Sequence, residues 1–399
     1  MSVTYPAGFT ASGVTAGFKG SGSLDLGVLV GAPGTVAVGL FTTNRVSAAP
    51  VRLSRARLDA GSPRAVVVNA GQANAATGAR GDADAIRSTG VVAAALGLPV
   101  QELLSCSTGV IGEPIYLDLF ESAVPNLVAS LGRDGGSAFA HSIMTTDTVD
   151  KQAQSDCPDE GVRVGGCAKG VGMIAPDLAT MLVFVTTDAV VAREDLHRLA
   201  QEQLASRFNS LTFDDSTSTN DTVLLFASGA AGATPVTPDS SAWEHLSQAV
   251  AQVGESLVRQ LARDAEGGNH LLIVQITGAA ADGEARIIAK AVANSPLVKT
   301  AVFGADPNPG RVLQAVGACG VAVDPGQLDV WFGDTQLASA GVIQPDYFTG
   351  GALAQAARSH MHDRDVRIHV SVGGGPGTSR ALGCDLSYDY VRINGEYTT

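Results

Sequence analysis

Short apolar runs of strand length alternate with longer segments of helical periodicity along the whole of this 399-residue chain. That alternation is the feature that most constrains its fold. Leu26–Val30 and Thr35–Phe41 read as strands of a hairpin turned by Gly31-Ala32-Pro33-Gly34. Ala65–Asn69, Met181–Thr187, Val223–Ala227, Leu271–Thr277 and Val298–Phe303 read as further strands. Val366–Val372 and Ala381–Ile393 read as a terminal hairpin. Apolar residues at helical spacing mark Asp82–Leu96, which stops at Gly97, and about Tyr116–Leu131, with Pro125 as a kink point. The same spacing marks Arg193–Arg207, Ser240–Ala265, Gly283–Ala293 and a helix opening at Arg311–Val316. Interleaved strands and helices with frequent hairpins favour a mixed α/β sandwich over a doubly wound parallel sheet.

Hydrophobic residues make up 45% of the chain, enough for a large core, and the length fits two or three domains or halves. The net charge of −13, with no basic stripe, argues against nucleic acid or an anionic membrane as partner. The five cysteines (106, 157, 167, 319 and 384) are widely spaced with no Cys-x-x-Cys, which fits reduced thiols rather than a disulfide framework. Cys and His show no zinc spacing, and His360 and His362 read as part of a solvated loop. A basic-then-apolar leader and a span-length apolar run are both lacking, so the expected location is cytoplasmic.

One junction carries chemistry. The glycine-loosened run Lys169-Gly-Val-Gly-Met-Ile-Ala-Pro-Asp-Leu-Ala179 leads to Thr180 and then straight into an apolar strand. A hydroxyl placed there can attack the carbonyl before it. If the 179–180 bond breaks, Thr180 gains a free α-amine. The ordinary pKa of such an amine, about 7.7–8.0, makes it a usable base for the threonine's own hydroxyl. The same residues also suit an ordinary strand start. Ser105–Gly112 could aim a hydroxyl and a backbone N–H at an oxyanion, or be a turn of small residues. Cys106 within it has no neighbouring His and reads as core. Met144–Thr148 suits a polar ligand or a helix N-cap. Asp214–Thr222 could bind metal or phosphate but lacks the glycine and glutamate of a calcium loop. Ala305–Arg311 is a loop fixed by two prolines, and Gly373–Arg380 lacks a phosphate-loop lysine and reads as a hairpin loop.

Together these segments resemble the glutamate N-acetyltransferase family, also called ornithine acetyltransferase, of arginine biosynthesis. The resemblance runs from Gly13–Lys19, Phe41–Asn44 and Ala48–Val51 through Asn69–Asn74, Ser107–Gly109, Met144–Thr148 and Lys169–Leu182. It continues through Ser218–Thr222, Ser295–Thr300, Phe303–Arg311 and the tail Tyr388–Thr399. So many motifs in one order are specific where no single one is. The chain departs from the pattern in Gly-Gly-Asn-His after Glu266, in Pro309 for an aromatic, and in Ala70 and Gln72 for Ser and Asn.

The resemblance implies an α/β sandwich of the self-processing, N-terminal-threonine type. The precursor would cut between Ala179 and Thr180 into an α chain, 1–179, and a β chain, 180–399, which share one catalytic unit and pair as (αβ)2. Thr180 would be the nucleophile. The Thr108 hydroxyl and Gly109 N–H would hold the oxyanion. Thr145, Lys169, Thr180, Glu266, Asn394 and Thr399 would contact substrate. Acetyl would pass from N2-acetyl-L-ornithine to L-glutamate through acetyl-Thr180, with no metal and no cofactor, and with acetyl-CoA as an optional co-substrate. A self-processing amidase or aminopeptidase, with water as acceptor, is the alternative on the same architecture.

Overall fold

The computed structural model describes residues 2–157, 161–173, 181–232 and 234–396. They form two compact units. Unit 1 spans Met1–Asn209 and Ser216–Leu261, and unit 2 spans Ser210–Asp215 and Ala262–Thr398.

Unit 1 is built on two sheets. The first contains β1 (Phe9–Val14), β2 (Leu26–Gly31), β4 (Ala65–Gln72) and β5 (Leu103–Val110), in that order. The second contains β3 (Val36–Phe41), β9 (Thr222–Ala227), β8 (Leu182–Thr187), β7 (Val162–Lys169) and β6 (Lys151–Cys157), in the order β3-β9-β8-β7-β6. Alternate residues of each strand point to opposite faces, and that parity sorts the core. Val66, Val68, Leu104 and Cys106 of the first sheet meet Ala37, Cys167, Leu182, Phe184, Leu224 and Phe226 of the second. Helix α4 (Gly136–Ser142) adds Phe139, edge-on to Phe184 with ring centroids 5.1 Å apart.

The opposite parity faces helices. Ala65, Val67 and Leu103 pack with Val92 of α2 (Gly78–Leu96) and with Phe120 and Leu127 of α3 (Leu117–Ala129). Helix α1 (Ala49–Ala60) lies against β5, and its Ser54 hydroxyl donates to the Ser105 carbonyl. On the far side of the second sheet a Cβ at Gly166 would meet Val253 and Leu257 of α7 (Ser241–Arg263) at 3.0 and 3.2 Å. The second sheet is therefore covered on both faces, which explains the unbroken apolar run of β8. The expected helix at 193–207 is α5 (Arg193–Leu199), a π turn at Ala200–Ala205, and α6 (Ser206–Phe208).

Unit 2 is a six-stranded sheet with helices. Its strands are β10 (Leu271–Ala279), β11 (Asp329–Phe332), β12 (Thr335–Ser339), β13 (Val342–Ile343), β14 (Asp365–Ser371) and β15 (Gly377–Cys384), in the order β13-β12-β11-β14-β10-β15. Its helices are α8 (Asp282–Asn294), α9 (Pro296–Phe303), α10 (Pro309–Ala318), α11 (Pro345–Thr349), α12 (Ala352–His360) and α13 (Tyr388–Glu396). Ile288 and Val292 of α8 share a core with Leu272, Val274 and Ile276 of β10 and with Val366, Ile368 and Val370 of β14.

Some local expectations are corrected. The 26–41 pair is no hairpin. β2 is flanked by β1 and β4, so with both edges taken the chain turns at residues 32–35 and carries β3 to the other sheet. Residues 298–303 are helical, because Ser295 caps the helix and Pro296 starts it, and a short apolar run does not by itself distinguish helix from strand. β14 and β15 do not pair, since β10 lies between them, parallel to β14 and antiparallel to β15. The final strand ends at Cys384, and 388–396 is α13. Ser105–Val110 is strand β5 rather than a turn, held parallel to β4.

Phe184 is fully buried between the two sheets of unit 1. Phe184→Ala should cost about 3–5 kcal/mol, read as a lower urea midpoint with an unchanged slope.

Candidate active site

The inner faces of unit 1 change from apolar to polar at one end. Along β5 the inward parity runs Leu104, Cys106, Thr108, and along β7 it runs Cys167, Lys169. The Lys169 ammonium donates to the Thr108 hydroxyl at 3.1 Å and to the Thr145 hydroxyl at 2.7 Å. Thr108 thus accepts with its oxygen and keeps its own O–H for another acceptor. Lys169 and Thr108 are both buried, so charge on this group acts in a low dielectric.

Asp147 holds the lysine in place. Its carboxylate accepts from Lys151 Nζ at 2.7 Å, from the Gly170 amide at 2.9 Å and from the Thr145 amide at 3.1 Å. Lys169 Nζ lies 3.8 Å from its second oxygen. Burial pushes this carboxyl up, but the charges of Lys169 and Lys151 outweigh burial and hold it below the usual carboxylate range. Lys19 belongs to the same field. Burial lowers its ammonium to about 8, Asp25 opposes that shift and Lys169 adds to it.

Backbone geometry fixes the neighbouring amides. β4 and β5 pair in parallel as Ala70↔Thr108 and Gly71↔Gly109. Gly109 has φ +130°, and a Cβ there would sit 2.1 Å from the Gly71 carbonyl oxygen, so no other residue fits. Asn220 donates to the carbonyls of Ala73 at 2.6 Å and Ser107 at 2.8 Å, and Ser107 donates to Asn69 at 2.5 Å. These amide bridges pin the residue before Thr108 to both sheets. Gln72 ends β4 buried, and its Oε1 meets no partner among the described residues.

Four residues singled out in the sequence, Thr108, Gly109, Thr145 and Lys169, thus come together. Glu266 and Asn394 come together in unit 2, where Asn394 Nδ2 donates to Glu266 Oε2 at 3.2 Å. Ala179, Thr180 and Thr399 lie outside the described residues. Met144–Thr148 is a loop, not a helix N-cap, and its Asp147 carboxylate organises two lysines. Asp147 and Asn220 lay inside polar runs visible in the sequence. Lys151 lies only four residues after Asp147, a spacing that could have marked the pair.

Other motifs are structural. Cys106 is a core residue whose thiol burial pushes up to about 12. Arg311 ties α10 to α9 through the Leu297 carbonyl at 2.7 Å, and Asn308 caps α10. Gly375 and Gly377 allow close approach to the backbone of Ala279 and Ala281. His360 is not in a solvated loop: it ends α12, pairs with Asp363 at 2.8 Å and accepts the Arg367 amide. Among the described residues no three His, Cys, Asp or Glu side chains gather as a metal site, and no helix is long and apolar enough to cross a membrane.

A sequence model of the ArgJ family matches residues 10–399. The chain belongs to the ArgJ family. Two relatives, each named arginine biosynthesis bifunctional protein ArgJ, share this length. The one from Synechococcus is 44% identical over all of this chain and 97% of its own. The one from Thermosynechococcus vestitus is 43% identical over all of this chain and 98% of its own. Among solved structures, the Bacillus halodurans ArgJ protein is 39% identical with a TM-score of 0.51, covering 55% of this chain and 100% of that one. ArgJ membership agrees with the sequence resemblance and with the mixed α/β sandwich.

Because the folded-state pKa of Asp147 is depressed, its contribution is complete above the unfolded-state value of about 3.9. It is lost as pH falls through the folded value. Asp147→Asn should weaken the fold at neutral pH and remove this share of the acid-side loss. Urea unfolding followed from about pH 7 to about pH 3 checks both; an unchanged acid limb would remove Asp147 from that role.

Proposed function

We propose that this ArgJ-family enzyme is a self-cleaving acetyltransferase that moves acetyl from N2-acetyl-L-ornithine to L-glutamate through acetyl-Thr180. One observation carries the reading: a buried lysine donates to two hydroxyls, one of them on the strand residue before a glycine that admits no side chain. Such a group suits an oxyanion that forms only during reaction.

Thr180 Oγ attacks the acetyl carbonyl while its α-amine takes the hydroxyl proton. The Thr108 hydroxyl and Gly109 N–H hold the resulting oxyanion. Lys169, bonded to the Thr108 oxygen, favours donation of the Thr108 proton toward that negative charge. Collapse breaks the C–N bond, the ornithine amine leaves with the proton, and acetyl remains as an ester on Thr180. The neutral α-amine of glutamate then attacks the ester, the C–Oγ bond breaks, and the proton lost by that amine passes through the Thr180 α-amine back to Oγ, releasing N-acetylglutamate with ping-pong kinetics. Thr145, Lys169, Glu266, Asn394 and Thr399 are assigned to substrate. Glu266 suits an ammonium and Lys169 a carboxylate. Acetyl-CoA serves as a second donor, in keeping with the bifunctional name of the relatives, and the enzyme works in the cytosol without metal or prosthetic group.

Cleavage between Ala179 and Thr180 falls in the connection from β7 to β8. The α chain (1–179) would keep β3, β6 and β7, and the β chain (180–399) would keep β8 and β9. In the sheet order the β-chain strands sit between α-chain strands, so ladder hydrogen bonds would hold the cut chains together. The assembly proposed is (αβ)2.

Intact mass spectrometry before and after N2-acetylornithine tests this directly. We expect two chains, with one acetyl on a β chain beginning at Thr180, cleared by glutamate. Clearance by water at the same rate without glutamate would instead make the protein an amidase. Thr180→Ala should stay uncut and inactive. Thr108→Ala should lose roughly 10²–10³ in kcat; a loss of only a few-fold would take its hydroxyl out of the oxyanion role.

A further inference from the structure

A buried acidic side chain beside the second sheet of unit 1 plays no part in the reaction above. Asp221, the residue before β9, is 1% exposed. Its Oδ1 accepts the Met181 amide at 2.8 Å, and its backbone carbonyl accepts the Thr42 amide at 3.0 Å. The Met181 carbonyl in turn accepts the Thr222 amide at 3.1 Å. Met181 is therefore held at both its N–H and its C=O by consecutive residues of one neighbouring strand. The second carboxyl oxygen, Oδ2, is buried, and the Ser218 hydroxyl is the side chain that hydrogen-bonds this carboxyl.

Burying a carboxyl here is costly and is offset only by the hydrogen bonds it makes, of which the one to the Met181 amide reaches the backbone next to Thr180. The Met181 amide nitrogen belongs to the peptide bond that Thr180 carries on its C-terminal side. Fixing that nitrogen fixes one end of the peptide plane from which the threonine projects.

We propose that Asp221 is the positioning residue of Thr180, its carboxyl gripping the Met181 amide so that the threonine hydroxyl is aimed both for chain cleavage and for acyl transfer. The inference rests on the assignment of Thr180 as nucleophile. Burial drives the Asp221 carboxyl well above the usual range, and the Met181 amide, Lys169 and the Ser218 hydroxyl only partly offset it.

The test uses the full-length precursor with Asp221→Ala and Asp221→Asn, scored for cleavage by intact mass and for kcat and KM separately. Misaiming a nucleophile by about 1 Å costs about 10²-fold. Asp221→Ala should therefore slow cleavage and lower kcat by about that factor, with KM little changed. Asp221→Asn, whose amide oxygen accepts the same bond, should recover most of both. A purely structural role would lower the urea midpoint and leave kcat per folded, cleaved molecule intact, which would overturn the proposal. Equal losses in Ala and Asn would overturn it too, since the acceptor survives in Asn. If the Ala variant does not fold, the Asn variant decides, and a large fall in its cleavage rate refutes the grip. Thr180→Ala run alongside separates the two ideas: cleavage in that variant would remove the nucleophile assignment itself, whatever Asp221 does.

Discussion

Two sheets packed face to face impose a parity on every strand of unit 1. One set of alternate residues must fill the space between the sheets, and the other must meet helices. The site is a consequence of where that inner parity runs out of apolar residues. β5 passes from Leu104 and Cys106 to Thr108, and β7 from Cys167 to Lys169. A slip of one residue in either strand would turn Lys169 or Thr108 to the opposite face. The core that holds the sheets in register is therefore also what aims the chemistry.

A buried lysine at the end of such a core needs a counter-charge, and Asp147 supplies it while holding a second buried lysine, Lys151. Buried ion groups of this kind seldom add net stability over apolar packing, but breaking one leaves an uncompensated charge. What the cluster gives is a direction. Asp147 on one side and two hydroxyls on the other fix where the Lys169 ammonium sits. Asn220 does the same for the backbone, holding the Ser107 carbonyl from the opposite sheet, while Asn69 on the neighbouring strand accepts the Ser107 hydroxyl.

The elements with the plainest periodicity were legible in the sequence. Helix α2 with its Gly97 stop, helix α7, and strands β8 and β9 lie close to where pattern and caps put them. The misreadings share a cause. A Gly-Ala-Pro-Gly turn reverses the chain but does not choose a partner strand, so β2 and β3 end in different sheets. The same holds for β14 and β15, which are separated by a strand formed almost a hundred residues earlier in the chain. At 296–303 a local signal was present in Ser295-Pro296, but the apolar β-branched run was given more weight.

Residue types and order alone were enough to mark Thr108, Gly109, Thr145 and Lys169, because hydroxyls beside glycine and a lysine before a loosened loop are local features, and because so many motifs recur in one order. The sequence also set the sandwich class, through interleaved strands and helices whose apolar runs need cover on one or both faces. It could not reveal that Asn220 bridges two sheets, or that Asp221 grips the amide of Met181. Those pairings join residues 40 to 147 positions apart. They are set by non-local strand partnership, and in this protein only the tertiary structure decides that.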